Sequence, residues 1–171
     1  GYFKSIAANK HCIACDAGKY SDTSAAESCE ECPSDTYQTQ GKTYCTACPE
    51  NSHVTQGAGN RLRACECNAG YDGSLLGYKN SDDVLVTECI ICDAGKFKSK
   101  MENTECKMCK NYGILLTSLK GSTKFEDCKC VANTVETSSG LCEANMGYAA
   151  FTDDAKEYWE RVESCKEGFY K

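Results

Sequence analysis

The chain has 171 residues, 16 of them cysteine, a share of about 9% that marks a disulfide scaffold. Leu, Ile, Val and Phe together make up only about 14% of it, too little for one buried core to hold a domain of this length, so a compact enzyme domain is excluded. Nineteen basic against 25 acidic residues give a net charge of −6; with no Lys/Arg cluster, this speaks against nucleic-acid binding through phosphate contacts.

Without cross-links such a composition leans toward disorder, because buried apolar area would not offset a backbone entropy cost of about 1–2 kcal/mol per residue. Covalent staples must supply the difference. No apolar run exceeds four residues, as in Tyr148-Ala149-Ala150-Phe151, so this stretch of chain holds neither a transmembrane segment nor the core of a signal peptide. Cysteines at this density stay paired only in an oxidising compartment, which predicts a secreted, lumenal or cell-surface protein.

In chain order, residues 1–14 read as the tail of a preceding repeat, because Gly1 lies eleven residues before Cys12 as Gly18 does before Cys29 and Gly95 before Cys106. The chain thus reads as a window onto a longer array. Residues 15–67 form three tandem cysteine repeats. Counted from the second cysteine of each pair, position +3 holds Gly18, Asp35 and Asn51, residue types that tolerate positive φ and so predict a tight turn. Position +5 holds Tyr20, Tyr37 and His53, each expected to start a short strand and cover a disulfide. The polar stretches between, SDTSAAES and QTQGKT, read as hairpin returns.

Residues 68–91 read as a longer linking module, with the glycine-aromatic turn NAGYDG and a short strand candidate at 83–87. Residues 92–130 form two further repeats. Segment 89–109 aligns without gaps with 12–32, matching at nine of 21 positions, so an internal duplication with a 77-residue period is expected. Gly95 and Phe97 take the turn and cover positions, whereas the next unit departs, with Tyr112 at +3, Gly113 beside it and Ile114 at +5. Residues 131–164 read as a divergent insert ending in a helix at 154–164. Asp154 is its N-cap, Glu157 its N3 residue, and Ala155, Tyr158, Trp159 and Val162 form one stripe. Trp159 is the candidate contact, expected to pack on a neighbouring repeat. From Cys165 the unit restarts, with Gly168 at +3 and Tyr170 at +5.

Three arrangements of the cysteines stay open. In a ladder, the second cysteine of each pair closes on the first of the next: Cys15–Cys29, Cys32–Cys45, Cys48–Cys65, Cys67–Cys89, Cys92–Cys106, Cys109–Cys128 and Cys130–Cys142, with Cys12 and Cys165 bonded to cysteines outside the chain. A crossed scheme instead starts Cys12–Cys29 and Cys15–Cys32, and pairs all sixteen internally. The spacing of Cys12, Cys15, Cys29 and Cys32 also suits a structural zinc site; against it, the pair 29/32 matches 45/48 equally well and would serve two sites. The pairing of Cys130, Cys142 and Cys165 is the least determined part.

Cys-x-x-Cys recurring five times reads as structural rather than as a redox centre, which needs one such motif at a helix N-terminus. His11 and His53 read as packing or exposed residues, Asp82-Asp83 as a solvated turn, and Asp153-Asp154 as a helix start. No Asn-x-Ser/Thr sequon occurs. No cofactor is expected.

The units C-D-A-G-K-Y and C-P-S-D-T-Y, with the closing C-E-C-N-A-G-Y, resemble the ephrin-receptor-like cysteine-rich repeat and, more distantly, the first loop of tumour-necrosis-factor-receptor modules. They are also similar to periodic-cysteine surface and filament proteins of protists. The resemblance covers 12–71 and 89–109, is partial over 110–130 and is absent over 143–164. It implies a non-enzymatic, elongated ladder of small disulfide-rich β-hairpin-like modules. The function expected is an extracellular or cell-surface structural and interaction module, a stapled rod with protein partners that include copies of itself or neighbouring repeats. A ligand-binding receptor ectodomain is the alternative, and a zinc-binding intracellular protein the third reading.

Overall fold

A computed structural model describes residues 1–7, 11–55, 57–113, 115–151 and 161–166. Its regular structure consists of short antiparallel hairpins with strands of two to four residues, together with the single 3-10 turns Leu62–Ala64, Cys109–Asn111 and Phe125–Asp127. It divides into two compact units: Gly1–Ile90 with Met101–Glu105, and Ile91–Lys100 with Cys106–Lys171.

In the first unit Tyr2–Phe3 pairs with Ile13–Ala14, Lys19–Tyr20 with Glu30–Glu31, Thr36–Tyr37 with Thr46–Ala47, and Ser52–His53 with Glu66–Cys67. In the second, Lys96–Phe97 pairs with Lys107–Met108, Leu116–Thr117 with Lys129–Cys130, Thr134–Glu136 with Cys142–Ala144, and Tyr148–Phe151 with Arg161–Ser164. A two-stranded hairpin of this length has no stability of its own in water. Hydrogen bonds between successive hairpins and the cystines at their bases supply it.

One backbone pattern repeats. A tight turn follows the cysteine, in which Lys19 N–H donates to Asp16 O at 3.0 Å and Lys96 N–H to Asp93 O at 3.1 Å. The left-handed residue of that turn then accepts from the cysteine that closes the hairpin: Cys32 N–H to Gly18 O at 3.0 Å, and Cys109 N–H to Gly95 O at 2.9 Å. Neighbouring hairpins are laced by Gly18 N–H to Gln38 O (3.0 Å) and Gly41 N–H to Cys15 O (3.0 Å); one duplication later come Gly95 N–H to Ser118 O (2.9 Å) and Gly121 N–H to Cys92 O (2.8 Å). In the later copy the acceptor of the first bond and the donor of the second lie three residues beyond the 77-residue period, because the 3-10 turn Cys109–Asn111 is inserted between the cysteine and its turn.

The cores are small and sulfur-rich. In the first unit Cys65, Cys67 and Leu76 are buried, with Tyr37, Cys48, Val54, Leu62, Tyr71 and Cys89 packed against them. In the second, Phe97, Cys109 and Cys128 are buried with Leu116 beside them.

Two expected elements differ. The described part of the expected helix 154–164 is a strand, residues 161–164, with Val162 opposite Ala150 and Arg161 opposite Phe151, and the Arg161 guanidinium lies over the Phe151 ring at 5.9 Å. Val162 is half-buried while Arg161 and Glu163 are exposed, so alternation, not helical spacing, governs this stretch. Positions 154–160, Trp159 among them, lie outside the described residues. The strand candidate at 83–87 reduces to one isolated bridge, Lys79 to Leu85. Asn80 folds that tip over, its Oδ1 accepting from Asp82 N–H and Val84 N–H, both at 3.0 Å.

Candidate functional site

The chemistry of the chain is concentrated in its cystines and in the turns that follow them. Among the described residues seven disulfides are present: Cys15–Cys29, Cys32–Cys45, Cys48–Cys65, Cys67–Cys89, Cys92–Cys106, Cys109–Cys128 and Cys130–Cys142. Their Cα separations fall between 5.6 and 5.8 Å, the ordinary range for a bridge. Cys12 is exposed, Cys165 is partly buried, and both are free thiols. Among the described residues no group of three or more His, Cys, Asp or Glu side chains is arranged to hold a metal ion.

Gly18, Asp35, Asn51 and Gly95 have φ of 84°, 57°, 60° and 81°. This is the left-handed region, open to Gly at no steric cost and to Asn or Asp at a small one. Gly70 after Cys67 and Asn133 after Cys130 share it, at 80° and 61°. The unit after Cys109 departs: Tyr112 has φ −113°, and Leu115 takes the left-handed conformation at 57°, one residue before the strand Leu116–Thr117. Ile114 lies outside the described residues, as do Gly168 and Tyr170.

The side chains at the cover positions do three different things. Tyr37 packs on the cluster of Cys65, Cys67 and Leu76, beside Cys48, and Phe97 packs on Cys109 and Cys128. These two rings therefore lie over the disulfide of the following repeat. Tyr20 instead donates its phenol to Glu30 Oε2 at 3.0 Å across the strand pair, a bond that holds the phenol pKa above 10.0. His53 is exposed, and its Nδ1 lies 3.3 Å from Asp35 Oδ2. The other carboxylate oxygen of Asp35 accepts Val54 N–H at 3.0 Å. That backbone bond first, and the histidine second, hold the Asp35 carboxyl below its usual 3.8. One turn side chain thus ties its repeat to the next. His11 is exposed. Asp83 sits in the 79–85 tip, bonded to Lys79 Nζ at 2.7 Å. Asp153 and Asp154 lie outside the described residues.

Several organising residues were not singled out by the sequence. Asn103 Oδ1 accepts Cys67 N–H at 3.1 Å, and its Nδ2 donates to Arg63 O at 3.0 Å and Cys65 O at 2.8 Å. It binds a backbone 36 to 40 residues away, and Gly73 leaves it room: a Cβ there would come 2.6 Å from Asn103 Oδ1. Arg63 Nη1 donates to Leu76 O at 2.8 Å while its guanidinium covers Tyr78 at 4.2 Å, which fixes the loop that buries Leu76. In the second unit Phe97, Tyr112 and Phe125 form a ring cluster with centroids 5.7, 5.9 and 5.2 Å apart. Of the three, only Phe97 stood at a cover position. Asn103 and Arg63 carry no local signature, because their partners are backbone groups brought close by the fold.

The register also accounts for the lone cysteines. Cys142-Glu-Ala-Asn-Met-Gly-Tyr repeats Cys65-Glu-Cys-Asn-Ala-Gly-Tyr with Ala144 in place of Cys67. Asn145 N–H donates to Asn133 O at 2.9 Å, as Asn68 N–H does to Asn51 O at 2.8 Å. In the next hairpin Cys165 N–H donates to Gly147 O at 2.8 Å, which makes Cys165 the equivalent of Cys32. Val162, three residues earlier, then takes the place of Cys29. One rung of the ladder has Ala144 and Val162 where the others have cystine.

Among the described residues no helix is long and apolar enough to cross a membrane. No curated protein matches the chain significantly. A family model described as tyrosine-protein kinase ephrin type A/B receptor-like matches residues 1–43, 18–65 and 80–128. The first two matches overlap, as expected where a repeat is itself tandem, and the three together span about two thirds of the chain. In keeping with its seven cystines, its repeated glycine or Asn/Asp turns and its ring-covered rungs, the chain belongs to the ephrin-receptor-like family of cysteine-rich repeats.

Proposed function

We propose that the chain is an extracellular or cell-surface structural and interaction module, a disulfide-stapled rod whose repeats carry protein-binding faces at regular spacing. The observation that carries this reading is that cystine takes the place of a core: of the twelve buried hydrophobic residues among those described, nine are cysteines. A chain stabilised in this way keeps its fold only where thiols stay oxidised. On this reading the repeats stack on their neighbours and offer extended surface rather than an enclosed cleft. The partners are proteins: further copies of the chain, or neighbouring repeats in a longer one. Cys12 and Cys165 stand at rung positions whose counterparts lie outside the ladder and, on this reading, bond to cysteines beyond it.

The test is peptide mapping without reductant on protein recovered from the extracellular and intracellular fractions of its source. The expected result is the seven bonds in extracellular material. Chain found only inside the cell, with its cysteines reduced, overturns the reading.

A further inference from the structure

The internal duplication keeps one hairpin and reverses its charge. Glu30 lies directly across the strand pair from Tyr20; at the same position of the later copy, Lys107 lies across from Phe97. Around this reversal Glu31 becomes Met108, Asp22 becomes Ser99, Glu27 becomes Thr104 and Pro33 becomes Lys110. Glu30, Glu31, Lys107 and Lys110 are all exposed. Residues 15–67 hold four basic and eight acidic side chains, and residues 92–130 hold eight basic and five acidic.

The basic copy also has an apolar centre. Phe97 is buried, but its two ring partners, Tyr112 and Phe125, are 53% and 43% exposed. Lys107 faces this cluster across the strand pair, and Lys110 and Lys124 stand within two residues of the exposed rings. Of the two acids that follow Phe125, Asp127 accepts the N–H groups of Thr123 and Lys124 at 3.2 and 3.3 Å, and Glu126 is exposed. Exposed aromatics flanked by lysines have the composition of an interface centre with its rim. The acidic copy presents the complement: Glu30 held by the Tyr20 phenol and Glu31 held 3.5 Å from Lys19.

We propose that the acidic hairpin 13–31 of one copy of this chain docks on the aromatic, lysine-rimmed face around Lys107, Tyr112 and Phe125 of a second copy. Each copy carries both faces, and the contact is head-to-tail in that it joins unlike surfaces of two copies. A sulfated glycan would also meet the lysines, but it accounts neither for the exposed rings nor for the acidic twin built on the same backbone. The inference rests on the reading of the chain as a structural module and names that module's partner and surface.

The test uses the whole chain with Cys12 and Cys165 alkylated, followed by sedimentation velocity. Wild type is expected to associate at about 50 mM salt and to dissociate at about 500 mM, where exposed charges are screened. Variant K107E/K110E and variant E30K/E31K are each expected to bind themselves about tenfold or more weakly. Mixed in equal amounts they are expected to associate again, because each then presents to the other the charge its own face has lost. Both remain net negative, so overall charge does not draw them together. As a control, E136K/E143K, altered on the Thr134–Glu136 and Cys142–Ala144 hairpin, is expected to bind itself as tightly as wild type. A monomeric wild type at low salt, equal self-association of all variants, or a control weakened as much as the two face variants overturns the docking. Wild type that stays monomeric but is retained on heparin through Lys107 and Lys110 overturns it in favour of a glycan. In each of these outcomes intact seven-bond mass leaves the module reading standing, so the two failures are distinguishable.

Discussion

At the scale of single residues, the turn after each cysteine makes two demands: a left-handed backbone and, where a side chain is present, a use for it. Asp35 meets both. Replacing it by glycine removes the carboxylate but frees the backbone, whereas alanine removes the carboxylate and keeps a Cβ at φ 57°, at a cost of about 1 kcal/mol. Asp35→Ala is therefore expected to lower the thermal midpoint more than Asp35→Gly; an equal or reversed order would mean that the left-handed backbone makes no demand at this position. The pH dependence follows from the same contacts. The folded carboxyl lies below its unfolded value, so its contribution to stability is fully present above that value, near 3.8. It is lost as pH falls through the lower folded value. The group is exposed, so the clean readout is local: the Asp35 side-chain carbon and the Val54 amide should titrate together by NMR, with a midpoint below that of a free aspartate. Asn103 is the other residue with measurable consequences. Asn103→Ala leaves Cys67 N–H and the carbonyls of Arg63 and Cys65 without their side-chain partner, and is expected to cost about 2 kcal/mol. Asn103→Asp can still accept from Cys67 but sets a carboxylate against two carbonyls, so it should not restore the loss in denaturant unfolding.

The scale of the element is where reading from sequence succeeds and fails most visibly. Turns at Gly18, Asp35, Asn51 and Gly95 were legible because few residue types accept positive φ, and such residues recurring at a fixed distance from cysteine point to a tight turn. The unit after Cys109 was not legible. Its 3-10 turn pushes the left-handed position onto Leu115, and nothing in a leucine announces φ 57°; the neighbouring hairpins impose it. The stretch around Val162 misleads for a related reason. Apolar residues three and four apart resemble a helical stripe, but the partner strand Tyr148–Phe151 offers a ladder of backbone bonds, and pairing decides the matter. The same register yields a prediction about the rung that lacks sulfur. If Ala144 and Val162 stand where the other rungs have cystine, then Ala144→Cys with Val162→Cys, in a Cys165→Ser background to prevent mispairing, should close an eighth disulfide. The gain expected is about 3 kcal/mol in the chain-entropy model, read as a higher thermal midpoint and an intact mass with eight bonds. If the two thiols stay reactive toward alkylation under oxidising conditions, the assigned equivalence is wrong.

For the whole molecule the deciding comparison is between sulfur and apolar packing. The bridged residues are 12 to 22 apart in sequence, and each closed loop is worth about 3 kcal/mol. Seven such contributions, even discounted for non-additivity, exceed the roughly 5–15 kcal/mol that is the usual net stability of a domain. The apolar side cannot match them: among the described residues, Leu76, Phe97 and Leu115 are the buried hydrophobic side chains other than cysteine. Full reduction at neutral pH is therefore expected to abolish the hairpins, not loosen them. Circular dichroism should lose its β contribution, and protease should cleave within the former loops as fast as in an unfolded chain. Reoxidation should restore protection only in molecules that regain the seven pairs, which non-reducing peptide maps separate from scrambled ones. Scattering on the oxidised chain supplies an independent check on the rod. A compact globule of this length has a radius of gyration of about 15–16 Å, and stacked repeats touching only their neighbours should exceed it clearly. Protease resistance that survives complete reduction would mean that packing, not cystine, holds the repeats. A radius within the compact range would mean that the repeats fold back on one another, and the faces proposed for head-to-tail contact would then compete with contacts inside the same chain.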